Sequence, residues 1–456
     1  MVFWAFPKQI STLKRENLTE NWQMGMRNWF LGKVPHNSEL FHENYKETLP
    51  LETTKTGLWG ENWKEIHKGY HFIFIQDMPM WVSGVGLGIL AILIFLWHYP
   101  WEISSGYGNW GNHLYYYLGF GKLAGLKEAP LVPWIHPVSV MNLGIIFGSM
   151  GASMMKRQFS TYRAPGREYV KGFLGGALMG IGSSFANGCI EGGFYTAVGV
   201  YSMGGFAMMV GLAAGSYLGV KYLIWETIHW PVKIPTQKPD DSKKTPLINR
   251  SKVYPYIGAS IYIAICLSFY VYAAFDKILI GGMAFFGLWI GFFMQRARFC
   301  LQRTFRNPFM TGDYEMVKAV ILSLIIYSSG SAVIKYGFFQ PDTHGIDHRF
   351  WLGSLLGGAI FGLGMVIADA CPSSGLWRAG EGNTKIWLAI VGFCSVYPPF
   401  KFAVQNTALG PFLGKGIYVV DIFTWTWTSI LYLAFFIVWY LLAAYNAKTE
   451  KFVISF

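Results

Sequence analysis

The chain has 456 residues, of which 53% are hydrophobic, 18% aromatic and only 14% charged; a soluble globular domain usually carries about a quarter charged residues. A net charge of +12 would suit a nucleic-acid partner in a soluble protein, but here basic residues gather in short loops between apolar runs, the pattern that sets orientation in a bilayer. Five cysteines without a C-x-x-C spacing argue against a disulfide framework and a thiol–disulfide enzyme.

Residues 1–75 hold 17 of the 62 charged side chains and read as an extramembrane or interfacial extension with no secretory leader. Its tryptophans Trp4, Trp22, Trp29, Trp59 and Trp63 suit a lipid headgroup layer, a partner protein or a small cap on the same chain. Ten apolar runs follow, near the ~20 residues that cross a bilayer: 80–98, 133–153, 171–190, 195–222, 255–275, 278–295, 317–335, 352–371, 386–404 and 424–445. Interior glycines in several predict broken or re-entrant segments. The expected fold is an all-α polytopic membrane protein of about 9–10 transmembrane or re-entrant helices. The expected divisions are the extension 1–75, a first membrane half 76–230, a basic cytoplasmic linker 231–252 and a second half 253–456. Basic loops at 156–171, 233–252 and 296–306 are expected inside, which puts the N-terminus in the cytoplasm and the loops 99–132 and 336–350 outside. The membrane is expected to be the cell (inner) membrane.

Two stretches resemble each other. LGGALMGIGSSFANGCIEGG (174–193) and LGGAIFGLGMVIADACPSSG (356–375) share nine of twenty positions without a gap. Small residues recur by chance in membrane helices, but a shared cysteine beside a polar residue, Asn187 against Asp369, points to duplication. A weaker match sets 154–163 against 294–303, with Ser160 opposite Cys300. With a further span between its two slots, the second half would run its copy the other way, giving two pseudo-symmetric, inverted repeats of the kind that place transporter sites at the midplane.

Proline fits the first turn of a helix, so Pro372 predicts Cys371 as the N-cap of a half-helix. The free amides and dipole there favour an anion. Gly188, Gly193 and Gly375 let backbone approach a ligand closely. Cysteine offers a weak donor on a polarisable sulfur, suited to a soft anion that must be released as well as bound. Cys189, Cys300 and Cys371 are the expected ligands. Cys266 and Cys394, outside the repeat, read as packing residues. Asp369, Arg378 and Glu381 are either ligands or an ion pair that fixes the loop. Arg296, Arg298, Arg303 and Arg306 read chiefly as orientation signals. No catalytic residue, metal ligand or cofactor is expected; haem would need histidines at membrane depth, and His98, His136 and His229 fall at span ends.

The two GG-x3-G-x-G…C segments, 175–189 and 357–371, with Gly193 and Gly375 behind them, and RFCLQRTFRNPFMTGD at 298–313 resemble the YeeE/YedE family of sulfur-compound transporters. The resemblance covers about 135–405. It implies a multi-pass carrier of thiosulfate or a related small sulfur-containing anion, with substrate passed between the thiols of Cys189, Cys300 and Cys371 by S–H···S contacts. It also implies a cytoplasmic sulfurtransferase of the TusA type as a companion. Ser160 departs from a slot where the family often has cysteine. A second expectation follows from residues 1–75 and 99–132: a non-catalytic subunit of a larger respiratory or sulfur-metabolising membrane complex that reuses the transporter fold.

Overall fold

The computed structural model describes Tyr70, Phe74 and residues 78–230, 250–337 and 350–454. Apart from Tyr70 and Phe74, the extension 1–75 with its five tryptophans lies outside the described residues, as do most of the linker 231–252 and most of the loop 336–350.

Thirteen helices make up the body of the described residues: α1 Met80–Trp97, α2 Ser104–Tyr117, α3 Pro137–Met155, α4 Gly166–Ala186, α5 Gly204–His229, α6 Arg250–Ala274, α7 Ile278–Arg296, α8 Leu301–Met310, α9 Glu315–Gly337, α10 Leu352–Ala368, α11 Pro372–Gly380, α12 Thr384–Asn406 and α13 Trp425–Thr449. A π-helical stretch, Ile190–Thr196, separates α4 from α5. Among the described residues nine segments are long and apolar enough to cross a membrane, and α4 with Ile190–Gly199 forms a tenth, bent by 46° at its break. The chain is an all-α, multi-pass membrane protein.

Between apolar helices in lipid the drive to associate comes from close packing rather than water exclusion, so small residues decide which faces meet. Helix α4 shows this on two sides. On one face, a Cβ added at Gly176 would stand 2.0 Å from the Ala389 carbonyl oxygen of α12. On the other, Gly175 meets Gly364 and Ala368 of α10, and Gly182 meets Gly357 and Phe361. As α4 advances, α10 recedes, so the two run antiparallel. Glycines 211 and 215 of α5 meet Leu355 and Ala359 of α10 in the parallel sense. The pairs α1 with α9 and α3 with α7 also run parallel, through Gly84 and Gly88 on Ala319 and Ser323, and through Gly287 and Gly291 on Met141 and Ile145.

Three expectations need correction. Residues 99–132 are not simply an outer loop: α2 is packed inside the bundle. Its composition is too polar for a span, but Gly106, Gly108 and Gly111 bring its backbone onto Asn142, Tyr397 and Cys394. Residues 296–306 are not a surface loop either. Arg296 and Arg306 are buried, and Cys300 opens the short buried helix α8. Arg306 pairs with Asp369 inside the protein, while Arg298 stays exposed. Finally, the fourth span does not start at 195. Residues 190–199 complete the broken span that α4 begins, and the chain turns at Tyr201, φ 67°, before α5.

At the end of the bundle that carries the loop 156–165, α4, α5 and α12 are tied together by charge. Lys171 bridges Glu168 at 2.5 Å and Glu226 at 2.9 Å, Arg167 pairs with Glu226, and Lys385 reaches Glu168 at 2.7 Å.

Candidate functional site

Both halves of the twenty-residue match break their helix in the same way. Helix α4 ends at Asn187 and α10 at Asp369, each in the left-handed conformation, with φ,ψ of 58°,34° and 58°,29°. Asparagine and aspartate tolerate that region better than other residues with a Cβ. Two residues on, Cys189 and Cys371 are the extended N-caps of new helical stretches. Pro372 occupies the first turn of α11, and the Cys371 amide donates to the Ser374 hydroxyl at 2.9 Å. The amides of Gly193 and Gly375 then donate to the carbonyls of Cys189 and Cys371, at 2.6 and 2.7 Å. Cys300 is the third extended N-cap, at the start of α8.

The α4–α10 contact sets Ala186 beside Gly357 and Ala368 beside Gly175, so the breaks lie toward opposite ends of it, and the segments that follow them meet in the interior. The thiols of Cys300 and Cys371 lie beside each other, with Cys300 also facing Gln302 Oε1 at 3.7 Å. The Cys371 thiol also donates to the Ser374 hydroxyl at 3.2 Å, and Cys189 donates to Glu191 Oε2 at 3.2 Å. The Glu191 carboxyl is near Cys300 and lies against the main chain of Ser373. Cys189 and Cys371 are 0% exposed and Cys300 is 4% exposed, so the cluster is shut off from water. The Tyr107 hydroxyl of α2 caps it, donating to the Pro372 carbonyl at 2.9 Å.

Cations flank the cluster on the side of α8 and α11. Asp369 receives Arg306, and Arg378 donates to Asp369 Oδ2 at 3.2 Å and to the Asp369 carbonyl. Arg303 and Arg378 both act on Cys300 electrostatically. Glu381 turns away to Gln295 Nε2 at 3.0 Å, with Arg298 at 3.9 Å. On the opposite side a pocket of about 210 Å³ opens, lined by His98, Glu102, Ser105 and His136 among others. Among the described residues no group of three or more His, Cys, Asp or Glu side chains is placed to hold a metal ion.

The structure thus gathers Cys189, Cys300, Cys371, Gly188, Gly193, Gly375, Asn187, Asp369 and Arg378 around the two breaks. Ser160 is not brought there: it is exposed, with its carbonyl against Gly382. Cys266 is exposed on α6, and Cys394 is buried on α12 where its carbonyl faces Gly111. Gly375 is roomy, with nothing closer than 3.5 Å to an added Cβ, whereas a Cβ at Gly193 would strike Met208 at 2.4 Å. Two residues escaped the sequence analysis. Glu191 carried a legible signal, as the sole charged residue between Lys171 and Lys221. Tyr107 carried none, because only the folding of α2 into the bundle brings it here.

A broken-helix site buried at the centre of an apolar multi-pass bundle defines a membrane transporter rather than an enzyme. The chain belongs to the sulphur transport family, whose model matches residues 41–218 and 296–455. It is 24% identical over 351 residues to the probable transporter YedE of Escherichia coli (strain K12), covering 73% of this chain and 82% of that one. The thiosulfate transporter TsuA of the same organism is 37% identical over 117 residues, 25% of this chain and 32% of its own. The TsuA of Spirochaeta thermophila is 31% identical over 112 residues, 24% and 33% of the two chains. No solved structure matches. The protein therefore transports a sulfur compound across a membrane.

Proposed function

We propose that the protein carries thiosulfate, or a closely related small sulfur-containing anion, across the cell (inner) membrane through a relay of the thiols of Cys189, Cys300 and Cys371. The convergence of three cysteine N-caps from separate segments on one buried point is the observation that supports this most strongly. Each N-cap brings the positive end of a helical stretch and a weak, polarisable donor. A strongly held lysine would trap a dianion, whereas weak sites allow release. Thiosulfate, with a soft terminal sulfur and hard oxygens, fits thiols backed by amides and guanidinium groups. The two matched breaks act as an inverted pair, and the N-terminus lies on the cytoplasmic side with the loop 156–165. A cytoplasmic sulfurtransferase would be the natural acceptor of the cargo. Arg303, Arg306 and Arg378 would draw the anion out of the cluster on that side.

The test is uptake of radiolabelled thiosulfate by cells that lack their own system. The unsubstituted chain is expected to restore uptake, and Cys189→Ala with Cys371→Ala to reduce it at least about tenfold, the loss of roughly 1.4 kcal/mol of differential binding. Full uptake by the double variant would reject the relay.

A further inference from the structure

We propose that Glu191 is the proton-sensing specificity residue of the thiol site: its neutral carboxyl admits a dianion and donates a hydrogen bond to it, while its ionised form turns the dianion away. This deepens, and rests on, the anion-transport reading above.

Glu191 lies within the broken span, two residues past Cys189, and is 0% exposed. Its Oε2 accepts the Cys189 thiol at 3.2 Å, and its Oε1 makes no hydrogen bond. In the twenty-residue match Ser373 stands at the position of Glu191, and the two meet across the site. One copy therefore supplies a hydroxyl and the other an acid. Packing alone gives no reason for that acid, since burying a carboxylate is costly, and here the main-chain amides of Ser373 and of Glu191 itself approach it with no cation paired to it.

The titratable groups that face it supply no such cation. From its own segment comes Cys189, from the N-cap of α8 Cys300, from α11 Cys371 and from α2 Tyr107. Glu102, from the loop before α2, faces Cys189. All of these are acids. Arg306 and Arg378 are paired with Asp369, and Arg303 and Arg378 act on Cys300; none of the three forms an ion pair with Glu191.

A neutral carboxylic acid resolves this. One oxygen accepts the Cys189 thiol, and the other, unpartnered oxygen carries the proton as a free O–H donor. A dianion entering a closed, low-dielectric site gains from that donor. It would be repelled by a carboxylate at the same place, where charges act far more strongly than in water. Protons on the side of entry therefore open the site, and proton loss on the other side helps empty it, so that a proton travels with the anion.

The experiment uses the purified full-length protein in liposomes, with labelled thiosulfate outside and a pH indicator trapped inside. The unsubstituted protein is expected to take up thiosulfate at least about tenfold faster at an external pH of about 6 than of about 8, because two pH units change a protonated fraction by up to about a hundredfold. The lumen should acidify as thiosulfate enters. Glu191→Gln, permanently neutral, is expected to transport at rates equal within about twofold at the two pH values and without acidification. Glu102→Gln, which removes the other nearby carboxyl, is expected to keep the full pH ratio. A pH ratio near one in the unsubstituted protein overturns the proposal whatever the fate of the variants. So does a full ratio in Glu191→Gln or a flattened one in Glu102→Gln. No uptake by the unsubstituted protein at either pH overturns the transport reading and the proposal with it.

Discussion

Asp369 illustrates how much one side chain does at the second break. It holds the left-handed turn that ends α10, and its carboxylate receives Arg306 from α8 and Arg378 from α11. Its own side chain is 43% exposed, while that of Arg306 is only 7% exposed. Removing the acid therefore leaves a nearly buried guanidinium without its carboxylate, whereas the acid itself loses little. Asp369→Ala is expected to cost about 1–3 kcal/mol, below the roughly 3–5 kcal/mol of a fully buried pair because solvent screens the exposed partner. A fall of several degrees in the melting temperature of the detergent-purified protein would register it; an unchanged temperature would show that the arginines find other partners. The first break has no such pair. Asn187 makes the same turn without charge, and the acid on that side sits two residues beyond the cysteine, as Glu191.

The helices are held by glycine faces, and these faces discriminate between structural and functional glycines. Gly176 has no room: its Cβ would stand 2.0 Å from a main-chain oxygen that cannot swing aside. Gly176→Ala is expected to push α4 from α12 and cost about 1–3 kcal/mol, the usual penalty of overpacking. Gly375 has room on all sides, so Gly375→Ala is expected to stay within about 0.5 kcal/mol of the parent. Its uptake should nonetheless fall, since the added methyl points toward the Tyr107 hydroxyl at 3.7 Å, beside Cys371. Fluorescence-detected size-exclusion chromatography after heating, run beside uptake assays, separates the two effects. Equal thermal loss in both variants would sink the distinction. The short helices α2, α8 and α11 share a further property: each starts against the thiol cluster.

Across the whole molecule, two ends differ in chemistry. One end carries the loop 156–165 and the ion-pair lattice of Glu168, Lys171, Glu226 and Lys385. The other carries the pocket with His98, Glu102 and His136, and Gly125, which closes the turn at Gly121–Ala124, against Phe402. The proposed orientation, from the basic loops, has the first end in the cytoplasm. Lys122 and Ser160 are both exposed, at opposite ends. In a Cys266→Ala background, a membrane-impermeant maleimide applied to intact cells is expected to label Lys122→Cys and to leave Ser160→Cys untouched. The reverse pattern would invert the assignment. The buried thiols of Cys189, Cys300 and Cys371 should react slowly in either case.

The sequence by itself determined the class, most of the spans and the two breaks. Twenty-residue apolar runs are forced by bilayer thickness, and a cysteine before Pro372 has few local conformations open to it, so period and punctuation were enough. Arg296 to Arg306 misled because a run of arginines beside an apolar segment looks the same whether it faces water or buried partners. Residues 104–117 misled because a helix whose polar residues are satisfied by neighbours need not be apolar. Only the tertiary structure decided that Cys300 joins Cys371, that Ser160 stays at the surface and that Tyr107 and Glu191 complete the site. Those outcomes depend on which helix faces meet, and the meeting of faces is set by steric fit between segments far apart in the chain, which no local pattern encodes.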